Sequence, residues 1–98
     1  MMKLLKDVIY SVRIEDVIGI TNIAVEHLAF DSREVKQYSV FVAVKGTQVD
    51  GHLYISKAIE KGAVAIVCQD LPEVLDEGVT YIKVLDSSSA LGVIASNF

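Results

Sequence analysis

Residues 40–68, VFVAVKGTQVDGHLYISKAIEKGAVAIVC, read as strand, loop, helix and strand, and that order decides the fold. Val40–Val44 is an unbroken β-branched and aromatic run, the pattern of a strand buried on both faces. A polar loop bracketed by Gly46 and Gly51 follows it. From His52 to Lys61, Ile55, Ala58, Ile59 and then Gly62 recur at i, i+3, i+4 and i+7, which predicts a helix. Asp50 stands where a side chain caps the first free N–H groups, and Gly62 where a helix stops. Ala63–Cys68 is a second unbroken apolar strand. Two such strands joined through one helix make a βαβ unit with parallel strands.

Working outward, Val25–Phe30 alternates loosely and reads as a strand that runs into Asp31-Ser32-Arg33. Glu34–Ser39 is a polar connection. Val17–Ile20 is a short strand with a bend at Gly19, and Thr21-Asn22 a turn. Residues 3–12 place Leu5, Val8, Ile9 and Val12 on one face, which predicts a short N-terminal helix. Downstream, Gln69–Gly78 holds the single proline, Pro72, and four acidic residues, a surface connection with room for one helical turn. Thr80–Leu85 is a strand. Asp86-Ser87-Ser88 caps a last helix whose stripe is Leu91, Ile94, Ala95 and Phe98. The fold class is α/β: one small domain, a mixed or mostly parallel sheet, flanking helices.

The 98 residues are 52% hydrophobic with mean hydropathy +0.45, high for a small domain, so part of the apolar surface is expected to meet another domain. A net charge of -4 without a basic stripe argues against a nucleic-acid partner. The single cysteine, Cys68, excludes an internal disulfide and a cysteine-based zinc cage. Its apolar neighbours read as burial of an inert thiol. No apolar run approaches the ~18 residues of a membrane helix. The start, Met-Met-Lys-Leu-Leu-Lys-Asp, lacks the apolar core of a signal peptide, so the expected location is cytoplasmic. The sequence stops at Phe98 in mid-helix, which suggests a fragment cut near a domain boundary.

Ligands of open α/β sheets favour the carboxyl ends of parallel strands, the place of loop Lys45–Gly51. Free N–H groups before a helix suit an anion, glycines allow close approach, and Thr47 and Gln48 add a hydroxyl and an amide. Ser32 ends another strand and is positioned to converge on the same crevice. An ordinary connection that binds nothing fits these residues as well. Arg33 suits either a phosphate or an ion pair with Asp31 or Glu34. His27 and His52 have no second histidine or cysteine at metal-ligand spacing. There is no Gly-x-x-x-x-Gly-Lys-Thr loop and no Ser-His-Asp or Cys-His arrangement, so no residue here is assigned a catalytic or metal role and the chain is expected to bind, not catalyse.

The ordered set Phe30-Asp31-Ser32-Arg33, Val40-Phe41-Val42-Ala43-Val44-Lys45-Gly46, Asp50-Gly51-His52, Ile55, Ala58 and Gly62-Ala63-Val64-Ala65 resembles the N-terminal domain of the Mur ligases, in particular the MurE type, UDP-N-acetylmuramoyl-tripeptide synthetase. The resemblance implies a three-domain enzyme of peptidoglycan precursor synthesis, of which residues 1–98 are the first domain, inactive alone. That domain would bind the UDP part of UDP-N-acetylmuramoyl-L-alanyl-D-glutamate. A central domain of the same chain would hold ATP and magnesium. The reaction it implies forms an acyl phosphate, attacked by the amine of meso-diaminopimelate or L-lysine. By resemblance, Phe30, Ser32, Thr47, Gln48 and Val49 contact the substrate, while Asp31, Arg33, Asp50 and His52 support the loops. A MurF-type ligase, adding D-alanyl-D-alanine to the tripeptide precursor, shares much of this pattern, and a non-catalytic module of the same fold is the reading from another class. Two departures stand out. The family often has Pro-Gly-Asp or Pro-Gly-Ser where this chain has Gln37-Tyr38-Ser39, and His-Gln-Ala where it has Thr47-Gln48-Val49.

Overall fold

Val40 and Val42 are buried on one face of a sheet, Phe41 and Ala43 on the other, and none of the four is exposed to solvent. A strand buried on both faces lies inside a layered domain. The computed structural model describes residues 2–98. In chain order the elements are β1 (Lys3–Leu4), α1 (Leu5–Val8), β2 (Ile14–Ile18), β3 (Ala24–Val25), β4 (His27–Ala29), β5 (Ser39–Val42), α2 (Ile55–Glu60), β6 (Ala63–Cys68), β7 (Thr80–Val84) and α3 (Ser87–Asn97). Three-residue and four-residue 3₁₀ turns, Ser32–Glu34 and Gly51–Tyr54, stand after β4 and before α2.

The main sheet runs β2-β7-β6-β5-β4. Strands β4 to β7 are mutually parallel, and β2 closes one edge antiparallel to β7. This is the expected α/β domain with a mixed, mostly parallel sheet. Helices α1 and α3 cover one face, where Leu5, Val8, Ala90 and Ile94 meet Val40, Val42, Val67 and Ile82. Helix α2 covers the other, where Ile55 and Ala58 meet Phe41, Ile66 and Tyr81.

The βαβ unit forms as its sequence predicts. Asp50 caps the turn by accepting from the His52 amide at 3.0 Å. At the far end Gly62 takes φ +116°, and a Cβ there would lie 2.8 Å from the Gln37 Cα, so only glycine ends this helix without displacing the neighbouring chain. The helical segment itself differs from expectation: Gly51–Tyr54 is wound as a 3₁₀ turn and only six residues are α-helical. Asp86 caps α3, accepting from the Ser88 and Ser89 amides at 3.0 and 3.2 Å.

Other expectations are corrected. The N-terminal helix is a single turn, Leu5–Val8: Lys3–Leu4 is taken up as β1, and the first two helical amides, Leu5 and Lys6, donate to the Ile23 and Thr21 carbonyls. The chain then leaves helical geometry at Ser11, at φ 70°. The strand over 25–30 is split at Glu26, since Ala24–Val25 pairs with β1 while His27–Ala29 pairs with β5. No helical turn forms in 69–78. That connection is held by the Asp76 amide, which donates to the Tyr81 hydroxyl at 3.0 Å. In α3 the inward residues are Ser87, Ala90 and Ile94, with Leu91 and Phe98 alongside, while Ala95 faces solvent.

Candidate functional site

The segment leaving β4 carries Phe30, Asp31 and Ser32, and the loop leaving β5 carries Val44, Gly46 and Val49. A cleft of about 730 Å³ lies between them at the carboxyl ends of these two parallel strands. Phe41 forms part of its floor, and Tyr54 and Lys57, from the segment leading into and through α2, its wall. Ser32 and the loop after β5 therefore do converge on one cleft. A second, more polar hollow of about 530 Å³ lies along the β4 edge beside Glu26, His27 and Glu34. It gathers charges of both signs and none of the loop after β5.

Of the residues expected to contact a ligand, Phe30, Ser32 and Val49 line the cleft. Phe30 is 62% exposed, although it is an aromatic residue, and Val49 is 55% exposed. Ser32 is buried to 7% exposure, and its hydroxyl makes no hydrogen bond to the described residues. Thr47 and Gln48 are exposed at the tip of the loop and are not among the lining residues.

Part of the amide set before the helix is used by the loop's own backbone. The Gly46 amide donates to the Val49 carbonyl at 2.9 Å, Gly51 to Val44 at 2.8 Å, and Leu53 to Asp50 at 3.1 Å. Gly51 allows a close approach, but to the protein's own backbone: a Cβ there would lie 2.8 Å from the Val44 nitrogen. The α-helical part that follows is too short to direct a dipole at the cleft.

Asp31, Arg33, Asp50 and His52 are all engaged in contacts within or between the loops. Arg33 binds Asp31 side by side, with Nε 3.1 and 3.2 Å and Nη2 2.7 Å from the carboxylate oxygens. This guanidinium, then the Arg33 backbone N–H, holds the Asp31 pKa down to about 2. The ion-pair reading of Arg33 is the one realised. Asp50 also lies below the ordinary carboxylate range, first through the His52 amide and then through its ring. His52 Nδ1 lies 2.7 Å from Asp50 Oδ1, and Nε2 accepts the Gln69 and Asp70 amides at 2.9 and 3.3 Å. A ring nitrogen that accepts two N–H groups carries no proton, so the proton sits on Nδ1 and donates to Asp50. Lys45 and Asp70 pair at 2.9 Å across the same two loops. Cys68 is fully buried, and burial first, then Asp70, pushes its thiol up to about 11, which makes it inert.

Tyr54 and Lys57 were not expected at the site. Tyr54 reads in the sequence as a packing or interface residue, and Lys57 as lying outside the apolar stripe of its helix. Only the position of the cleft reveals both.

The model of the Mur ligase family, catalytic domain, matches residues 24–98. The chain is 48% identical over 94 residues to the UDP-N-acetylmuramoyl-L-alanyl-D-glutamate--2,6-diaminopimelate ligase of Phocaeicola vulgatus, which covers 96% of this chain and 19% of that protein. It is 48% identical over 95 residues to the ligase of the same name from Cytophaga hutchinsonii, covering 96% and 20%. It thus spans about a fifth of the length of these relatives. Among solved structures, MurF from Acinetobacter baumannii superposes with TM-score 0.81 over 99% of this chain and 21% of that one, at 16% identity, which speaks for the fold alone. The MurF ligase of Thermotoga maritima, solved in complex with ADP, gives TM-score 0.62 at 34% identity over 71% of this chain and 16% of that one. With three quarters of its residues matched by the family model and its fold shared with these enzymes, the chain belongs to the Mur ligase family.

Proposed function

We propose that residues 1–98 are the N-terminal domain of a MurE-type ligase and bind the UDP part of UDP-N-acetylmuramoyl-L-alanyl-D-glutamate. The observation that carries this reading is the cleft: Phe30, Ser32 and Val49 line one cavity at the carboxyl ends of β4 and β5. An exposed phenylalanine offers a face on which a uracil stacks, and the unpartnered Ser32 hydroxyl a donor or acceptor for its polar edge. Thr47 and Gln48, at the loop tip, reach a ligand that extends out of the cleft. Asp31, Arg33, Asp50 and His52 fix the walls.

The ligation step is the formation of an amide through an acyl phosphate on the substrate carboxylate. ATP supplies the phosphoryl group. The residues present do not fit ATP or magnesium: the chain has no phosphate-binding glycine-lysine loop, and among the described residues no three His, Cys, Asp or Glu side chains group to hold a metal. No step through those groups is assigned to this chain. In this reading they belong to the central domain of the same protein, and the isolated domain ligates nothing. The names of the relatives favour 2,6-diaminopimelate over lysine as the amine added. The enzyme would act in the cytoplasm, and none of the described helices is long and apolar enough to cross a membrane.

A MurF-type ligase shares the fold. The 48% identity to two diaminopimelate ligases, against 34% and 16% to the MurF structures, favours the MurE type. Calorimetric titration of the folded chain with UDP-N-acetylmuramic acid tests the reading. Binding that weakens on Ser32→Ala supports it. Absence of heat at millimolar ligand leaves the non-catalytic module in its place.

A further inference from the structure

We propose that Lys57 contacts the phosphates of the nucleotide in this cleft, with Tyr54 forming the wall opposite the Phe30 segment. The inference rests on reading the cleft as a nucleotide site and adds the residue that recognises the anion.

Three charged residues line the cleft: Asp31, Arg33 and Lys57. Asp31 and Arg33 neutralise each other through three contacts of 2.7 to 3.2 Å, so Arg33 has little charge left to offer a ligand. Lys61, one turn beyond Lys57, donates to the Arg33 carbonyl at 3.2 Å and is held outside. Lys57 is exposed and forms no ion pair with the described residues. The cleft therefore carries one uncompensated positive charge, on its α2 wall. Of the backbone amides in the loop after β5, those of Gly46 and Gly51 are committed within the loop itself, which leaves Lys57 as the charged group on offer to a phosphate.

Tyr54 and Lys57 are three residues apart, the spacing that places two side chains of a helical segment beside each other. Tyr54 is 40% exposed and lines the same cavity as Phe30. An apolar planar group against the aromatic side chains with an anion beside Lys57 describes a nucleoside diphosphate. A free nucleoside would satisfy only half of the site.

The test is calorimetric titration of the 98-residue chain and its Lys57→Gln and Lys57→Arg variants with UDP and with uridine. Lys57 is exposed, so the variants keep the fold, and near-ultraviolet circular dichroism checks it. The expected result is a loss of about fivefold in UDP affinity for Lys57→Gln, recovery in Lys57→Arg, and unchanged affinity for uridine. Raising salt from about 50 to about 300 mM should weaken UDP binding in the parent more than in Lys57→Gln. If the parent binds UDP and Lys57→Gln binds it equally well, the role of Lys57 is overturned and the nucleotide reading stands. If the parent binds neither ligand at millimolar concentration, the nucleotide reading falls and this inference with it.

Discussion

The ring of His52 joins the loop after β5 to the end of β6, with Nε2 accepting the Gln69 amide at 2.9 Å while Nδ1 lies 2.7 Å from Asp50. A third link extends the chain: Gln69 Oε1 accepts the Ser87 amide at 2.9 Å, at the first residue of α3. The wall of the cleft is thereby tied, through one imidazole and one carboxamide, to the helix on the opposite face of the sheet. His52→Ala should leave the Gln69 and Asp70 amides without their acceptor, while Asp50 keeps the backbone amide of residue 52. A loss of about 1–3 kcal/mol is expected in urea denaturation, with faster hydrogen exchange at Gln69. Unchanged exchange at that amide would refute the tether.

Acid should unfold the chain through its aspartates. Asp31 is lowered to about 2 by the Arg33 side chain, and Asp50, Asp70 and Asp86 are lowered from the ordinary 3.8 by the His52 amide, the Lys45 ammonium and the Ser89 amide respectively. Each carboxyl takes its proton more readily unfolded than folded. Their contribution is thus complete above the unfolded value and disappears as pH falls through the folded ones. Urea midpoints should be level near pH 6 and fall between about pH 4 and about pH 2. Asp31→Asn and Asp86→Asn should each make that fall shallower. An acid slope that neither variant changes would place the cause elsewhere.

Tyr38 holds φ 62°, and its amide donates to the Gly62 carbonyl at 3.0 Å. This is the middle residue of Gln37-Tyr38-Ser39, where the family often carries glycine. A left-handed tyrosine costs about 1–2 kcal/mol, and glycine returns part of that through the freedom of the unfolded chain. Tyr38→Gly should therefore gain about 0.5–1 kcal/mol in urea denaturation. A loss would show that contacts of the 44% exposed ring outweigh the backbone strain.

What the sequence made legible follows the range of the interactions. Val40–Val44, Ala63–Cys68 and the caps Asp50 and Asp86 rest on local pattern, and each is found within a residue or two of its place. The N-terminal helix starts later than its pattern suggests because Lys3 and Leu4 pair with Val25 and Ala24, which are distant in sequence. Glu26 splits a strand because the residues on its two sides pair with different sheets. In the cleft, Ser32 was legible because it ends a strand, whereas Phe30 and Val49 were singled out only through the resemblance to the family. Tyr54 and Lys57 were not legible, since lining the cleft depends on how α2 sits over Phe41 and not on any local motif.

Ser87 is the reverse case of His52, a polar group whose hydroxyl is buried with no hydrogen-bond partner among the described residues. Its backbone amide is what the fold uses, as the donor to Gln69. Ser87→Ala keeps that amide, removes a desolvated hydroxyl and places a better helix former in the first turn of α3. The expected outcome is a gain of about 0.5–1 kcal/mol by urea denaturation. Gln69→Ala should act in the opposite direction, because it leaves the buried Ser87 amide without its acceptor. If both variants lose stability, the hydroxyl also carries a hydrogen bond in solution. If only Gln69→Ala does, the link from the cleft to α3 runs through the amide alone.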